Sequence, residues 1–348
     1  MNKIWRLLKS LWHWKYWPME LLYLPLTLYV FTIGALRTGR FFYFAATNPK
    51  VSLGGFAGDS KYHILSHIPA DYRPKTIVIE QHTHDFRLVA SIIASFGFQF
   101  PLIAKPDLGE GGFLVKKIND LASLQAYHQQ HRTRYILQAF VDDPLELSIL
   151  VHNASSTLQI SSITERSYLT LTGDGTSTVG TLIQQHPQAQ FRIKNLRKLL
   201  QDEWQTVLAP GERYQPLQIG NWDYGATYLD QSNQVTPELT QVFQKLNAEV
   251  GLFDYARYDL KCASWEALWA GNFKILEING VKGEPIHIYA PRVTLWQAYR
   301  EIFKHWEYIL KISQRNRHQG AHCPQFRQGW QVLMDHRKAK HSAIKTPS

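Results

Sequence analysis

The stretch FKILEINGVKGEP, residues 273–285, decides how this chain is read. Its first half is apolar and reads as a strand, yet Glu277 and Asn279 interrupt it two residues apart. Alternate residues of a strand face the same side, so a carboxylate and an amide are expected together, with Leu276 and Ile278 on the other face. Upstream, ARYDL (256–260) repeats the design: Arg257 and Asp259 share a face, while Ala256, Tyr258 and Leu260 take the opposite one. If DYARYDLKC (254–262) and FKILEIN (273–279) pair as a hairpin, Arg257, Asp259, Glu277 and Asn279 converge. Two carboxylates and an amide oxygen make an all-oxygen set suited to Mg2+ completed by water and phosphate oxygens. The arginine beside them can stabilise charge developing in a transition state. The plainer alternative is a pair of cross-strand salt bridges on a solvated sheet face.

Two further segments favour the chemical reading. In PLIAKPDLGEGG (101–112) a lysine ends an apolar strand and a glycine-rich loop follows. Glycine lets the backbone approach phosphates, and Lys105 can reach their oxygens. The Gly-Lys-Ser/Thr ending of a Walker A loop is absent. In YILQAFVDDPLELSI (135–149) a strand ends in Gln138, Phe140 and Val141, with Glu146 beyond. Such a segment can hold an adenine by backbone and amide hydrogen bonds and offer a carboxylate to ribose hydroxyls.

This order of motifs resembles the ATP-grasp superfamily, in particular its D-alanine–D-alanine ligase-like branch, over roughly residues 58–290. The resemblance implies an α+β fold with two lobes gripping ATP. It implies that Lys105 contacts the nucleotide phosphates and that the loop Gly109–Gly112, including Gly111 and Gly112, closes over them. Gln138, Phe140 and Val141 would line the adenine and Glu146 would bind the ribose. Asp259, Glu277 and Asn279 would hold one or two Mg2+ ions, and Arg257 would stabilise the oxyanion of the reacting carboxyl group. Lys61, in GDSKYHIL (58–65), stands where the family often has a first nucleotide lysine. LTGDGTSTVGTLI (171–183) is similar to a stretch of cyanophycin synthetase-type enzymes, which would bring Arg166 and the Asp174 turn near the phosphates or the second substrate. IGNWDYGATYLD (219–230) reads as another active-site loop, with Asn221 its best candidate. The implied reaction joins a carboxylate to an amine through an acyl phosphate, releasing ADP and phosphate. Kinase-like phosphoryl transfer and a non-catalytic nucleotide-binding membrane protein are the rival readings. The chain departs from the D-alanine ligases in three places. An aromatic–basic segment stands in the place of their separate N-terminal domain, Gln138 stands where glutamate is common, and GVKGEP follows Asn279 in place of a Ser/Pro-Gly stretch.

The formal net charge of +10 sits on the ends. Residues 1–40 hold six basic residues and one acid, residues 315–348 hold seven and one, and the middle keeps 25 and 26 of the chain's 38 and 28. A near-neutral body argues against a nucleic-acid partner, whereas basic ends fit an anionic membrane surface. The N-terminus interleaves Trp5, Trp12, Trp14, Tyr16 and Trp17 with Lys and Arg, then runs without charge from Leu21 to Leu36. Such aromatics favour the membrane–water interface. A span needs about 20 apolar residues. Pro18 and Pro25 interrupt this shorter run, so a monotopic or re-entrant anchor on the cytoplasmic face is expected ahead of a single span or a buried helix. The anchor in turn suggests a lipid-linked or other small-molecule carboxylate as one partner and an amine as the other. Cys262 and Cys323 are far apart, which fits a reducing compartment and neither a disulfide framework nor zinc. The expected divisions are a membrane-associating segment (1–45), a nucleotide-binding lobe (46–146), a lobe carrying the metal set (147–314) and a basic, unstructured tail (315–348). His82, His84 and Asp85 read as a surface loop ahead of a metal site, and Trp265, Trp269, Trp296 and Trp306 as core or interface packing.

Overall fold

The computed structural model describes residues 14–81, 83, 85–109, 112, 114–131, 133–155, 157–217, 220 and 222–344. His82 and His84 lie outside them, as do the first thirteen residues. Body helix α1 (Lys61–Ser66) starts where Ser60 accepts a hydrogen bond from the His63 amide. Strand β1 (Thr76–Ile79) then leads to α2 (Phe86–Ser95), whose N-cap is Asp85. Strands β2 (Leu102–Pro106) and β3 (Lys116–Ile118) follow, then α3 (Leu121–Gln130), opened by a reciprocal cap between Asp120 and Ser123, and β4 (Tyr135–Ala139). These four strands form one antiparallel sheet in the order β1-β4-β2-β3, with Ile77, Val89, Ile93, Leu102 and Leu137 in its core.

The second sheet is larger. Strands β5 (Leu145–His152) and β6 (Gln159–Ser167) form a hairpin, followed by a satellite of β7 (Leu171–Thr172), α4 (Val179–Gln185), α5 (Ile193–Leu199) and β8 (Arg213–Tyr214). Then come β9 (Thr227–Asp230), α6 (Pro237–Val250), β10 (Tyr255–Cys262), α7 (Trp265–Trp269) and β11 (Lys274–Asn279). The sheet runs β11-β10-β5-β6-β9, antiparallel throughout. Its core face carries Ile149, Val151, Tyr258, Leu260, Ile275 and Ile278, packed with Phe243 and Leu246 of α6.

Strands β10 and β11 pair as the sequence predicts, with Arg257 opposite Asn279 and Asp259 opposite Glu277. The alternation along β11 is different from the expected one. The register slips between Asp259 and Leu260, whose partner is Ile275, so Leu276 is an extra residue outside the ladder. This bulge puts Ile275 and Ile278 in the core and leaves Leu276 beside Glu277 on the open face.

The two ends of the chain pack together. Helix α8 (Leu295–His318) runs into the segment expected to be an unstructured tail from residue 315. The extension holds because Asn316 is buried and donates to the carbonyls of Ala46 (3.0 Å) and Thr47 (3.2 Å) and to Asp254 (2.8 Å). The expected tail is also corrected: Phe326–Ile344 is helix α9. Its Gly329 lies on the Phe42 ring, where an added Cβ would sit 2.3 Å from Cδ2. Against α8 lies an N-terminal helical run of Met19–Leu22, Leu24–Tyr29, a π turn at Val30–Gly34, and Ala35–Thr38. Leu22, Leu26, Val30 and Gly34 form its buried face. Tyr299 donates to the Leu22 carbonyl at 3.0 Å, Phe303 meets Tyr29 edge-on, and Arg37 pairs with Glu307 at 2.6 Å. Among the described residues, no helix is long and apolar enough to cross a membrane. Trp306 is buried and Trp265 and Trp269 half-buried, but Trp296 is exposed, against the packing expected of it.

Candidate active site

A cleft of about 180 Å3 lies between the two sheets. The small sheet contributes Ile103, Lys105 and Gln138, and the large one Glu146, Arg166, Asp259, Lys261, Leu276 and Glu277. Lys105 bridges them. Its ammonium donates to Gln138 Oε1 (3.0 Å) and, across the cleft, to the Leu276 carbonyl (3.1 Å) that the bulge exposes. Burial lowers its pKa to about 8. Lys61 comes in from α1, pairs with Glu277 at 3.4 Å and donates to the carbonyl of Gly109.

Asp259 is the electrostatic centre. Arg166 contacts it at 2.8 Å and Arg257 through Nε at 3.0 Å and NH2 at 3.2 Å, while Ser148 donates at 2.6 Å and Asn279 Nδ2 at 3.1 Å. Burial alone would raise its pKa, but the two guanidinium groups hold it down to about 2. Arg166 is itself pulled down by burial and up more strongly by Asp259, Tyr228 and Glu146, so it stays charged. Arg257 also donates to the carbonyl of Glu284 at 3.3 Å, which ties the post-Asn279 loop to the cluster.

Asp259 and Glu277 are direct cross-strand neighbours and Asn279 touches Asp259, so the three oxygen donors are adjacent. Their chemistry suits a hard cation. Asp259 is however neutralised by arginine, so a cation bridging it to Glu277 must displace a guanidinium. Among the described residues, no group of three or more His, Cys, Asp or Glu side chains stands in a metal-holding arrangement.

Gln138, Phe140, Val141 and Glu146, the residues expected to hold base and sugar, all line the same cleft. Lys261, which sequence reasoning missed, donates to the Val141 carbonyl at 3.1 Å and lies 5.5 Å from the Phe140 ring. Glu146 accepts from Tyr168 at 2.5 Å and from Arg166 at 3.4 Å. Lys261, Ser148 and Tyr168 each stand two residues beyond a named site residue (Asp259, Glu146 and Arg166), so strand alternation was the signal that could have found them. Gly112 also lines the cleft, whereas Gly111 and Asn221 lie outside the described residues. The Asp174 turn is not part of the cleft. Its carboxylate accepts from the amides of Thr176 (2.9 Å) and Ser177 (2.6 Å), closing its own exposed turn in the satellite.

Two antiparallel sheets thus close on one cleft, with a buried lysine from the smaller and an Arg-x-Asp, Glu-x-Asn hairpin from the larger. This is the two-lobed arrangement that the resemblance noted in the sequence implies. No protein-family profile matches the sequence, and a search of curated proteins finds no relative. Among solved structures the chain is similar to D-alanine–D-alanine ligase from Bacillus anthracis, at 13% identity over 75% of this chain and 68% of that one, with a TM-score of 0.41. It is similar to the VanG D-Ala:D-Ser ligase from Enterococcus faecalis, at 13% identity over 73% and 61%, TM-score 0.41. It is also similar to a bifunctional glutathione synthetase from Pasteurella multocida, at 11% identity over 72% and 38%, TM-score 0.36.

Proposed function

We propose that this protein is an ATP-dependent ligase that joins a carboxylate to an amine at the cytoplasmic face of a membrane. The observation that supports it most is the convergence of Lys61, Lys105, Arg166, Asp259 and Glu277 on one cleft between the sheets, with Arg257 bonded to Asp259 beside it. Four cations around two carboxylates fit a polyphosphate that arrives with a counter-cation. A module built only to bind a nucleotide has little use for that full set.

In this reading Lys61 and Lys105 exchange their present partners for phosphate oxygens. The planar fork of Arg257 faces the acyl group and steadies the negative charge that grows on its oxygen. Gln138, the Val141 backbone and Glu146 hold the base and sugar. The acid, in its carboxylate form, attacks the terminal phosphorus, and the bond to the ADP oxygen breaks. The amine then attacks the acyl carbon, phosphate leaves, and the nitrogen gives up its proton. Asp259, Glu277 and Asn279 are the residues that would hold Mg2+, which would neutralise phosphate charge when bound. Holding the acid and the terminal phosphate in line supplies much of the remaining acceleration. The acid is read as small or lipid-linked.

The test is ADP release by the detergent-solubilised full chain with Mg2+-ATP, across pools of carboxylates, amines and membrane-lipid extracts. Release is expected to depend on an added acid and to fall at least 100-fold in Glu277→Gln. Nucleotide binding without turnover in any pool, or turnover unchanged in Glu277→Gln, would refute the ligase reading. A stable phosphorylated product formed without an amine would replace it by phosphoryl transfer.

A further inference from the structure

We infer that the outer face of the N-terminal helical run is a docking surface for an anionic lipid bilayer, on which the run lies in the plane of the membrane. The inference sharpens the location given in the proposed function and is independent of the ligase chemistry.

The run has two apolar faces. The inner one, Leu22, Leu26, Val30 and Gly34, is used up against α8 and Tyr43. The outer one carries Leu21, Leu24, Leu28, Ile33 and Leu36, all exposed, with Leu28 at 57% and Leu36 at 83%. The longest step along this stripe, from Leu28 to Ile33, falls across the π turn Val30–Gly34. The extra residue of that turn keeps both stripes in line. Glu20 is the only charged residue between Pro18 and Leu36.

The polar side chains on this face behave as they would in a medium without water. Thr27 and Thr32 are exposed, yet each hydroxyl turns back to its own helix, onto the carbonyls of Tyr23 (2.9 Å) and Leu28 (2.5 Å). This leaves no unsatisfied donor on the stripe. One end of the face is built from aromatic and basic groups, and the other carries an exposed tryptophan. At one end are Arg37, Arg40 and Phe41, with Phe41 5.1 Å from Phe326, which stacks on Trp330. Phe326 and Trp330 are both exposed, and Arg327 lies between them in sequence. At the other end Trp296, 78% exposed, stands one turn before the tyrosine that bonds Leu22. An exposed aliphatic stripe flanked by aromatic residues, with arginines gathered at one end, matches an interface with anionic headgroups. The stripe offers a protein partner no free side-chain donor, since the two threonine hydroxyls already donate to their own helix.

The geometry excludes a crossing helix, because the inner face cannot leave the core without exposing Leu22, Leu26 and Val30. Tyr23 donates to the carboxylate of Glu284, whose backbone carbonyl accepts from Arg257, so two hydrogen bonds link the run to the charged cluster.

The full chain, with no nucleotide, is sedimented with vesicles of phosphatidylcholine alone and of phosphatidylcholine with 30% phosphatidylglycerol, beside Leu24→Glu/Leu28→Glu. Wild type is expected to partition onto the anionic vesicles, less onto neutral ones, and at least tenfold less as the double variant, with ATP affinity unchanged. Equal partitioning of variant and wild type overturns the inference. So does a lipid-free oligomer that the variant splits into monomers while vesicle binding persists, since the face would then join proteins. If the double variant does not fold, Leu28→Cys carrying an environment-sensitive dye replaces it, the native Cys262 and Cys323 both being buried. Its emission is expected to shift to the blue on anionic vesicles, quenched more by shallow than by deep nitroxide lipids. An unshifted emission, or deeper quenching, overturns the in-plane placement. Because none of these readouts uses turnover, they can fail while the ligase assay succeeds, and the reverse.

Discussion

Lys105 is charged below about pH 8 and neutral above it, because burial penalises its ammonium. Phosphate affinity should follow that charge. ATP binding measured by calorimetry between pH 6.5 and 9.5 is expected to weaken as pH rises through about 8, and Lys105→Met should remove that step along with most of the affinity. A step of equal size in the variant would assign the titration elsewhere. Arg257 meets Asp259 through two nitrogens, a fork that a lysine cannot copy. Arg257→Lys is expected to lower kcat by roughly 10²–10³-fold, the scale seen when a transition-state donor is lost, with KM for ATP within a few-fold. A change confined to KM would make it a binding residue instead. At this scale the sequence was informative because a strand makes i and i+2 neighbours in space. It could not reveal that Lys105 bonds the Leu276 carbonyl, because that carbonyl is exposed by a bulge, and a bulge belongs to a pair of strands.

The loop after Asn279 begins on backbone hydrogen bonds. The amides of Val281 (3.0 Å) and Lys282 (3.2 Å) donate to the carbonyls of Gly54 and Gly55, and a Cβ on Gly280 would sit 2.5 Å from the Gly54 oxygen and 2.7 Å from the Gly55 Cα. Neither contact is the end of a flexible side chain. Gly280→Ala is therefore expected to destabilise the fold by about 1–3 kcal/mol, the usual cost of overpacking, and to weaken ATP binding by shifting Asn279. An unchanged denaturation midpoint would mean that the loop yields easily. The elements themselves were mostly legible: capping residues and apolar periodicity mark α3, α4 and α6 closely. Helix α9 was not, because its apolar residues are sparse and gain meaning only from Phe41 and Phe42 at the other end of the chain.

Across the whole molecule, α8 is pressed onto the large sheet through three histidines. Burial, then Lys304, lowers the pKa of His152 to about 4, and His305 falls well below 6.5 through burial and then through His287, Lys304 and His152. His287 is lowered by burial as well, against weaker opposing pulls from Asp230 and Glu301. The unfolded chain takes up these protons near pH 6.5 while the folded one does not, so stability is lost as pH falls from about 6.5 toward 4. Each group contributes at most about 1.4 kcal/mol per pH unit. The urea midpoint is expected to drop over that window, and His152→Phe should flatten part of the drop. A midpoint that holds steady to pH 4.5 would show that these rings are protonated in place.

The cleft also has an arrangement with itself. Lys61 is engaged by Glu277, Lys105 by a backbone carbonyl, and Asp259 by two arginines, so each group reserved for a guest already has a host. These internal pairs compete with any guest for the same charged groups. A nucleotide must outbid these internal pairs one by one, and the association rate will record how quickly they let go.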